Sequence, residues 1–419
     1  MSVSMLYSFT SRVAKTILPL FALLLLSPVF ACAAAIDTIA PKTAVIKKDT
    51  ARQIDLMDVL QGMFHLGFSS GAKGDTVGLK PVSTIVPAFG YAMQSRLAVS
   101  VSGNVAFRTD NRSKISLIAF SSSYSQNAQF TLPVNWNIWN KDNSYNYIGE
   151  MRFYSYPQST FGLGSKSFIR FQNPMDYNYL RLSEMFLRRV AGSFYAGAGY
   201  IMDNHWGISQ SGPINNAAIN FETYGPASHT ISSGLTFSGI FDSRDGAINP
   251  SRGFYALGQY RQNLMAMGST SAWTSLTVDV RKYFRFPASS NNVLAFWSYS
   301  ALTLGGKPPY LDLPATLWDN GTNTGRGYIQ GRFRGAQMLY GETEYRFRLT
   351  GNGLLGGVLF ANGQTLSGAP GTRLQAIQPA YGPGLRIKLN KVSKTNIAVD
   401  YGIGREGSKG LFVNVGEIF

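Results

Sequence analysis

The chain has 419 residues, and its 38 Lys and Arg outnumber 22 Asp and Glu to leave a formal net charge of +16. Only the N-terminal region holds an apolar run approaching the roughly 18 to 20 residues of a membrane helix, so the remainder is not expected to cross a bilayer as helices. The 44 glycines, 13% aromatic and 14% charged residues, with long helical periodicity nearly absent after residue 66, leave two classes: a large secreted β-protein or a transmembrane β-barrel.

At the N-terminus, Arg12 and Lys15 precede an apolar run from Ile17 to Phe30, and the small residues Ala31, Cys32, Ala33, Ala34 and Ala35 follow. This is the three-part layout of a secretory signal peptide, so residues 1–35 are read as a leader cut after Ala33 or Ala35. A lipoprotein leader built on Val29-Phe30-Ala31-Cys32 is the rival, which the bulky Phe30 fits poorly. Cleavage removes the single cysteine, and no thiol chemistry or disulfide is expected in the mature chain.

Residues 36–80 read as a periplasmic linker rich in Lys, Thr and Ala that carries a short amphipathic segment, Ile54 to Leu66. Leu56, Met57, Val59, Leu60, Met63 and Phe64 fall on one side of it, and Gly67 ends it. A short helix shielding the mouth of a barrel is the expectation; plugging the barrel, lying on the inner leaflet and docking a partner are the alternatives.

From residue 81 the period changes to two. In Trp273 to Phe286, Ser275, Thr277, Asp279, Arg281 and Arg285 alternate with Leu276, Val278, Val280, Phe284 and Phe286. Met338 to Leu349 sets Glu342, Glu344, Arg346 and Arg348 against Leu339, Tyr345, Phe347 and Leu349, and Thr395 to Gly404 sets Ile397, Val399, Tyr401 and Ile403 against Asn396, Ala398 and Asp400. A soluble sandwich also alternates. Strands of about ten residues or more, polar faces carrying both charge signs and aromatics near strand ends favour the transmembrane antiparallel β-barrel.

A count along 81–419 gives 16 strands, near 81–93, 95–108, 114–125, 128–140, 145–155, 176–187, 189–203, 228–241, 252–263, 272–286, 291–304, 336–349, 352–365, 377–389, 395–405 and 411–419. Long gaps after the fifth, seventh, eleventh and thirteenth strands alternate with short ones, as outer-membrane barrels require when both termini are periplasmic. The turn after the eighth strand, Asp242 to Arg252, breaks this parity.

That turn carries a resemblance. FDSRDGAINPSRGF, Phe241 to Phe254, with Asp242, Arg244, Asp245, Pro250 and Gly253, resembles the "DSRD…P..G" turn of the bacterial surface antigen superfamily, which includes the BamA/TamA-type barrels. The loop after the eleventh strand carries Arg326-Gly327-Tyr328, similar to the motif of that family's sixth extracellular loop, which folds into the lumen. GETEYRFRL and GGVLFANGQ are similar to the family's "EYRFPL" and "FxDxG", and Pro87 to Tyr91 with Gly416 to Phe419 look like its Bacteroidetes branch. The resemblance implies that Arg326 locks the loop against a lumenal carboxylate. Two residues depart from it: Gly325 replaces an aliphatic residue and Asn362 stands where an aspartate is usual, so Asp400, Glu344 or Glu342 is expected to supply the charge. A bidentate carboxylate fits guanidinium best, and an unpaired buried charge is costly. The alternative is that these charges only solvate a wet lumen.

Residues 36–80 are too few to hold a POTRA domain comfortably, so a POTRA-less member is expected, with a periplasmic or lipoprotein partner replacing those arms. Leu411, Val413, Val415 and Phe419 share a face of the last strand and resemble a C-terminal sorting signal. The family resemblance implies insertion, assembly or translocation of outer-membrane or surface proteins, with client outer-membrane proteins, membrane lipids and lipopolysaccharide as partners.

No catalytic residues, metal ligands or cofactors are expected. His65 precedes the barrel, and His205 and His229 fall at the ends of a long loop, where they do not form a strand-borne Ser-His-Asp set. No His/Cys/carboxylate cluster has metal-ligand spacing. A leader and a barrel make nucleic acid an unsuitable owner of the positive charge; lipopolysaccharide or the lumen suits it better. A passive anion-biased pore and a structural barrel anchoring a partner subunit remain the alternatives.

Overall fold

The computed structural model describes residues 53–56, 58–59, 79–92, 95–212, 215–317, 324–391 and 394–419. The stretch read as a leader, and most of the amphipathic segment, lie outside the described residues. One compact unit comprises Asp49–Arg285 with Asn291–Phe419. The remaining described stretch, Phe286–Ser290, is a turn closed on itself by the Ser290 amide donating to Pro287 O at 2.9 Å.

Among the described residues the chain forms seventeen strands: β1 (Val82–Ala92), β2 (Arg96–Phe107), β3 (Ser116–Ser125), β4 (Phe130–Trp139), β5 (Tyr145–Ser155), β6 (Gln158–Thr160), β7 (Asn173–Ala191), β8 (Phe194–Gln210), β9 (His229–Asp242), β10 (Gly253–Asn263), β11 (Trp273–Arg285), β12 (Val293–Gly306), β13 (Gln337–Arg348), β14 (Leu355–Leu366), β15 (Gln378–Asn390), β16 (Thr395–Ile403) and β17 (Lys409–Val415). Each long strand pairs antiparallel with its sequence neighbours, from β1–β2 to β16–β17; β6 is a three-residue strand paired to the start of β7. The paired registers stop at β17, which lies beside β1. A helix, α1 (Asn216–Tyr224), sits between β8 and β9, capped by the Asn215 side chain accepting from the Ala217 and Ala218 amides.

Period-two alternation explains which way each residue points. In β12, Val293, Ala295, Trp297, Tyr299 and Ala301 are buried, while their neighbours are less so. Val99, Phe186, Phe237, Leu359 and Tyr381 are exposed, whereas Arg181, Arg261, Glu342, Glu344, Arg346 and Asp400 are buried. Apolar outside and charged inside is the inversion that a lipid solvent selects.

Each strand read from the sequence overlaps one of these. β6 is too short for periodicity to register. β7 and β8 run longer than expected, so His205 lies within β8, which corrects its placement at a loop end, while His229 opens β9 where that strand was expected. β17 stops at Val415 because Gly416 takes φ 105°, and the last four residues leave the strand.

Of the amphipathic segment, Leu56, Asp58 and Val59 are helical. The Asp55 and Asp58 carboxylates each accept the other residue's amide, at 2.9 and 3.1 Å, which is a reciprocal helix cap. Asp55 Oδ2 also accepts the Lys391 amide at 2.9 Å, Lys391 Nζ donates to Asp58 at 2.7 Å, and the Ile54 amide donates to Asn352 O at 3.2 Å. These bonds tie the segment to the β13–β14 and β15–β16 connections. Asp55→Ala removes the cap and one tie, a loss of about 1–2 kcal/mol; hydrogen exchange should show faster exchange at the Asp58 and Lys391 amides with the β12 amides unchanged.

Candidate functional site

The β12–β13 connection, described at residues 307–317 and 324–336, turns back among the strands. Arg326, Tyr328, Arg332, Phe333 and Arg334 are all buried. Two positions explain why the loop fits so closely. Gly327 has φ 106°, and a Cβ there would lie 2.7 Å from Ala380 of β15; a Cβ on Gly402 of β16 would lie 2.5 Å from the Gly327 nitrogen. Backbone meets backbone at this point, so both must be glycine.

Arg326, fully buried, reaches three carboxylates: Nη1 donates to Asp400 Oδ2 at 2.6 Å, and Nη2 donates to Glu342 and Glu344. Its guanidinium lies 3.8 Å from the Phe360 ring centroid. Burial alone would lower the Arg326 pKa, but Glu342, Glu344 and Asp400 outweigh it and hold the group well above its ordinary value. Asn362 takes a different part: its Nδ2 donates to Arg326 O at 3.0 Å, so it holds the backbone and not the guanidinium.

Alternation alone brings these acids together. Tyr340, Glu342, Glu344 and Arg346 are successive inward positions of β13, and Asp400 is an inward position of β16. The network continues through Arg346, which lies in the EYRFRL stretch, and Arg386, which no motif in the sequence marked. Arg346 Nε donates to Glu344 at 2.7 Å, and Arg386 of β15 donates to Asp400 at 2.6 Å and to Glu417 at 2.9 Å. Arg346 was legible as a charge on the Glu344 face; Arg386 carried no signal beyond its place in a strand.

Other contacts hold the rest of the loop. The Tyr328 hydroxyl donates to Pro379 O at 2.7 Å and accepts the Arg405 amide at 3.1 Å, and Ser408 Oγ donates to Gly327 O at 2.8 Å. Arg332 bonds Ser167 O and Glu406, both at 2.8 Å, and Arg334 Nη1 donates to the carbonyls of Tyr310, Leu311 and Leu313. Phe221 and Tyr224 of α1 pack edge-on against Tyr310.

The turn motif serves its own conformation. Arg244 forms a fork on Asp242, both bonds 2.9 Å, while Asp245 accepts from the Ser251 amide at 2.8 Å and its hydroxyl at 2.6 Å. Pro250 is buried, and Gly253 has φ 110° with the Ser243 carbonyl 2.4 Å from where a Cβ would be. The C-terminal residues divide. Leu411 and Val413 are half-buried and Val415 is exposed, but Phe419 does not continue their face: beyond Gly416 the chain turns in, and Phe419 stacks on Trp297 at 5.1 Å. Glu417 turns inward too, to Arg386 and Asn396.

His205 stacks on Tyr179 at 4.4 Å, and its Nδ1 lies 3.5 Å from Asp312 Oδ1. Ser232 Oγ donates to the other oxygen of Asp312 at 2.6 Å. The acid therefore stands between serine and histidine, the wrong order for a base to activate the hydroxyl. Among the described residues no group of three His, Cys, Asp or Glu side chains is placed to hold a metal ion.

The Omp85 superfamily domain matches residues 88–406. The chain belongs to the Omp85 superfamily. Similar solved folds include BamA from Haemophilus ducreyi lacking POTRA domains 1-3, at 12% identity and TM-score 0.53 over 80% of this chain and 70% of that one. CdiB from Acinetobacter baumannii is similar at 11% identity and TM-score 0.52, over 80% of this chain and 59% of that one. At such identities the likeness shows the fold, and this chain spans less than two thirds of CdiB. No curated protein matches the sequence. The Omp85 barrel places the protein in a bacterial outer membrane.

In this Omp85 barrel, Arg326→Ala would leave Glu342, Glu344 and Asp400 buried without their shared cation, a loss of about 3–5 kcal/mol. The temperature at which the folded band disappears on semi-native gels should fall, and adding Glu342→Gln to Arg326→Ala should recover part of it. An unchanged unfolding temperature would show that the contact contributes nothing.

Proposed function

We propose that the barrel acts in inserting, assembling or translocating outer-membrane or surface polypeptides, with the β12–β13 loop held in the lumen by Arg326 and the β1/β17 seam as the working element. The observation that carries this reading is the loop itself: its arginines are buried and bonded to β13, β16 and neighbouring loops, so the interior is occupied by protein. A steadily conducting pore has no use for such a plug. Support for the seam comes from the paired registers, which link every long strand to its sequence neighbour and end at β17, beside β1.

Client barrel proteins, membrane lipids and lipopolysaccharide are the partners this reading requires, and a periplasmic or lipoprotein subunit supplies periplasmic arms. The segment around Asp55 and Asp58, tied to the β13–β14 and β15–β16 connections, lies on the side where such a subunit would dock. The formal charge of +16 is the one observation favouring a second reading, an anion-biased pore.

The two separate in a depletion strain analysed together with a pull-down of the tagged protein from gently solubilised outer membranes. Assembly predicts loss of selected outer-membrane proteins, a co-purifying periplasmic or lipoprotein subunit, and small flickering currents that grow in Arg326→Ala. Unchanged membrane composition with large steady currents from the wild-type barrel would replace it with the pore.

A further inference from the structure

A second set of buried charges lies far along the sheet from Arg326. Arg152 of β5, Arg181 of β7 and Arg261 of β10 are 4%, 8% and 7% exposed. Their acids are few. Arg152 Nε bonds Glu150; Arg181 Nη1 donates to Asp203 Oδ1 at 2.8 Å; and Arg261 Nη1 donates to Asp203 Oδ2 at 2.5 Å. Arg152 Nη2 and Arg261 Nε are buried with no hydrogen-bond acceptor in the protein, and buried Arg181 Nε has no hydrogen bond either, only an ion pair with Glu150 Oε2 at 3.5 Å.

All three line one cavity of about 70 Å³, with Gln259, Trp273 and Tyr299. One water needs about 10–15 Å³ of such space, so the cavity has room for a small ion with a partial hydration shell. Asp203 and Asp312 also border it. Asp203 already accepts from two guanidinia and the Tyr179 hydroxyl. Asp312, in the β12–β13 loop, accepts from Ser232, and burial, followed by the charge of Asp203, pushes its carboxyl up to about 7. With Glu150 shared between Arg152 and Arg181, no acid bordering the cavity is left as a free, fully charged acceptor.

We propose that this cavity binds one small oxyanion, a phosphate or a carboxylate, through Arg152, Arg181 and Arg261. Guanidinium N–H groups match the oxygens of such anions in spacing and charge, and the volume excludes a nucleotide or an intact lipid headgroup. Leu311, Asp312 and Pro314 of the β12–β13 loop border the same space, so the bound anion also ties that loop to β5, β7 and β10. This anchor is separate from Arg326 and holds whether the barrel assembles proteins or conducts ions.

The test is titration of the purified full-length barrel in detergent with sodium phosphate or sodium acetate, at constant ionic strength set by chloride, read by calorimetry and by unfolding temperature. Saturable binding of either anion with a rise in unfolding temperature is the expected result; the responding anion identifies the class. Arg152→Gln should weaken it by about tenfold or more, the worth of one charge-assisted hydrogen bond. Arg281→Gln, which removes an arginine paired to Asp279 elsewhere in the barrel, should leave it unchanged. If Arg152→Gln does not fold, Gln259→Ala serves in its place, with wild-type phosphate line broadening by phosphorus NMR as the second readout. Neither anion acting beyond chloride, or equal weakening in Arg152→Gln and Arg281→Gln, would overturn the assignment and leave a cavity filled by water.

Discussion

A guanidinium withdrawn from water needs oxygens around it, and the arrangement of this barrel's interior follows from meeting that need for Arg326. Three carboxylates from two strands converge on it. They carry more charge than one arginine balances, so Arg346 and Arg386 enter from β13 and β15, and Glu417 follows to pair with Arg386. The result is a connected network, where removal of one member leaves others buried and unbalanced. The close approach of Gly327 to Gly402 is the geometric side of the same constraint, because the loop must come near enough for Arg326 to reach both β13 and β16.

That network spans the β13–β16 wall and joins it to the last residues of the chain through Arg346 and Phe419 O, 2.8 Å apart. The residues that follow β17 are thus connected to the loop through Arg346, Arg386 and the shared carboxylates. The far wall has its own charge group around Asp203, and the loop contributes Asp312 to it. The loop is held at both sides of the interior by different chemistry, Arg326 in a carboxylate cage on one and Asp312 bonded to Ser232 on the other.

Much of this was legible in the sequence, for a physical reason: period-two alternation fixes which residues face in and so marked Glu342, Glu344 and Asp400 as inward acids, while the family resemblance supplied Arg326 as their partner. Register was not legible, so Arg386 and Arg346 were strand residues without roles. The Arg152, Arg181, Asp203 and Arg261 group could not be seen, because its members lie on four strands and meet only once the sheet curls. Phe419 and His205 were misplaced for local reasons. A positive φ at Gly416 turns the chain inward where alternation predicted continuation, and β8 extends past the point where its pattern weakens. Asn362 shows the limit of motif reading: the position matters, but it serves the Arg326 carbonyl.

The central claim is that the β12–β13 loop is a fixed part of the interior. The most direct measurement is hydrogen exchange of the wild-type barrel reconstituted in lipid vesicles, followed at the amides of Tyr328, Gly331 and Arg332, which donate to Gly325, Thr316 and Ile329. Exchange as slow as that of β13 amides is the result this account predicts. Exchange at the rate of an open surface loop would contradict it, and with it the roles assigned to Arg326 and its carboxylates.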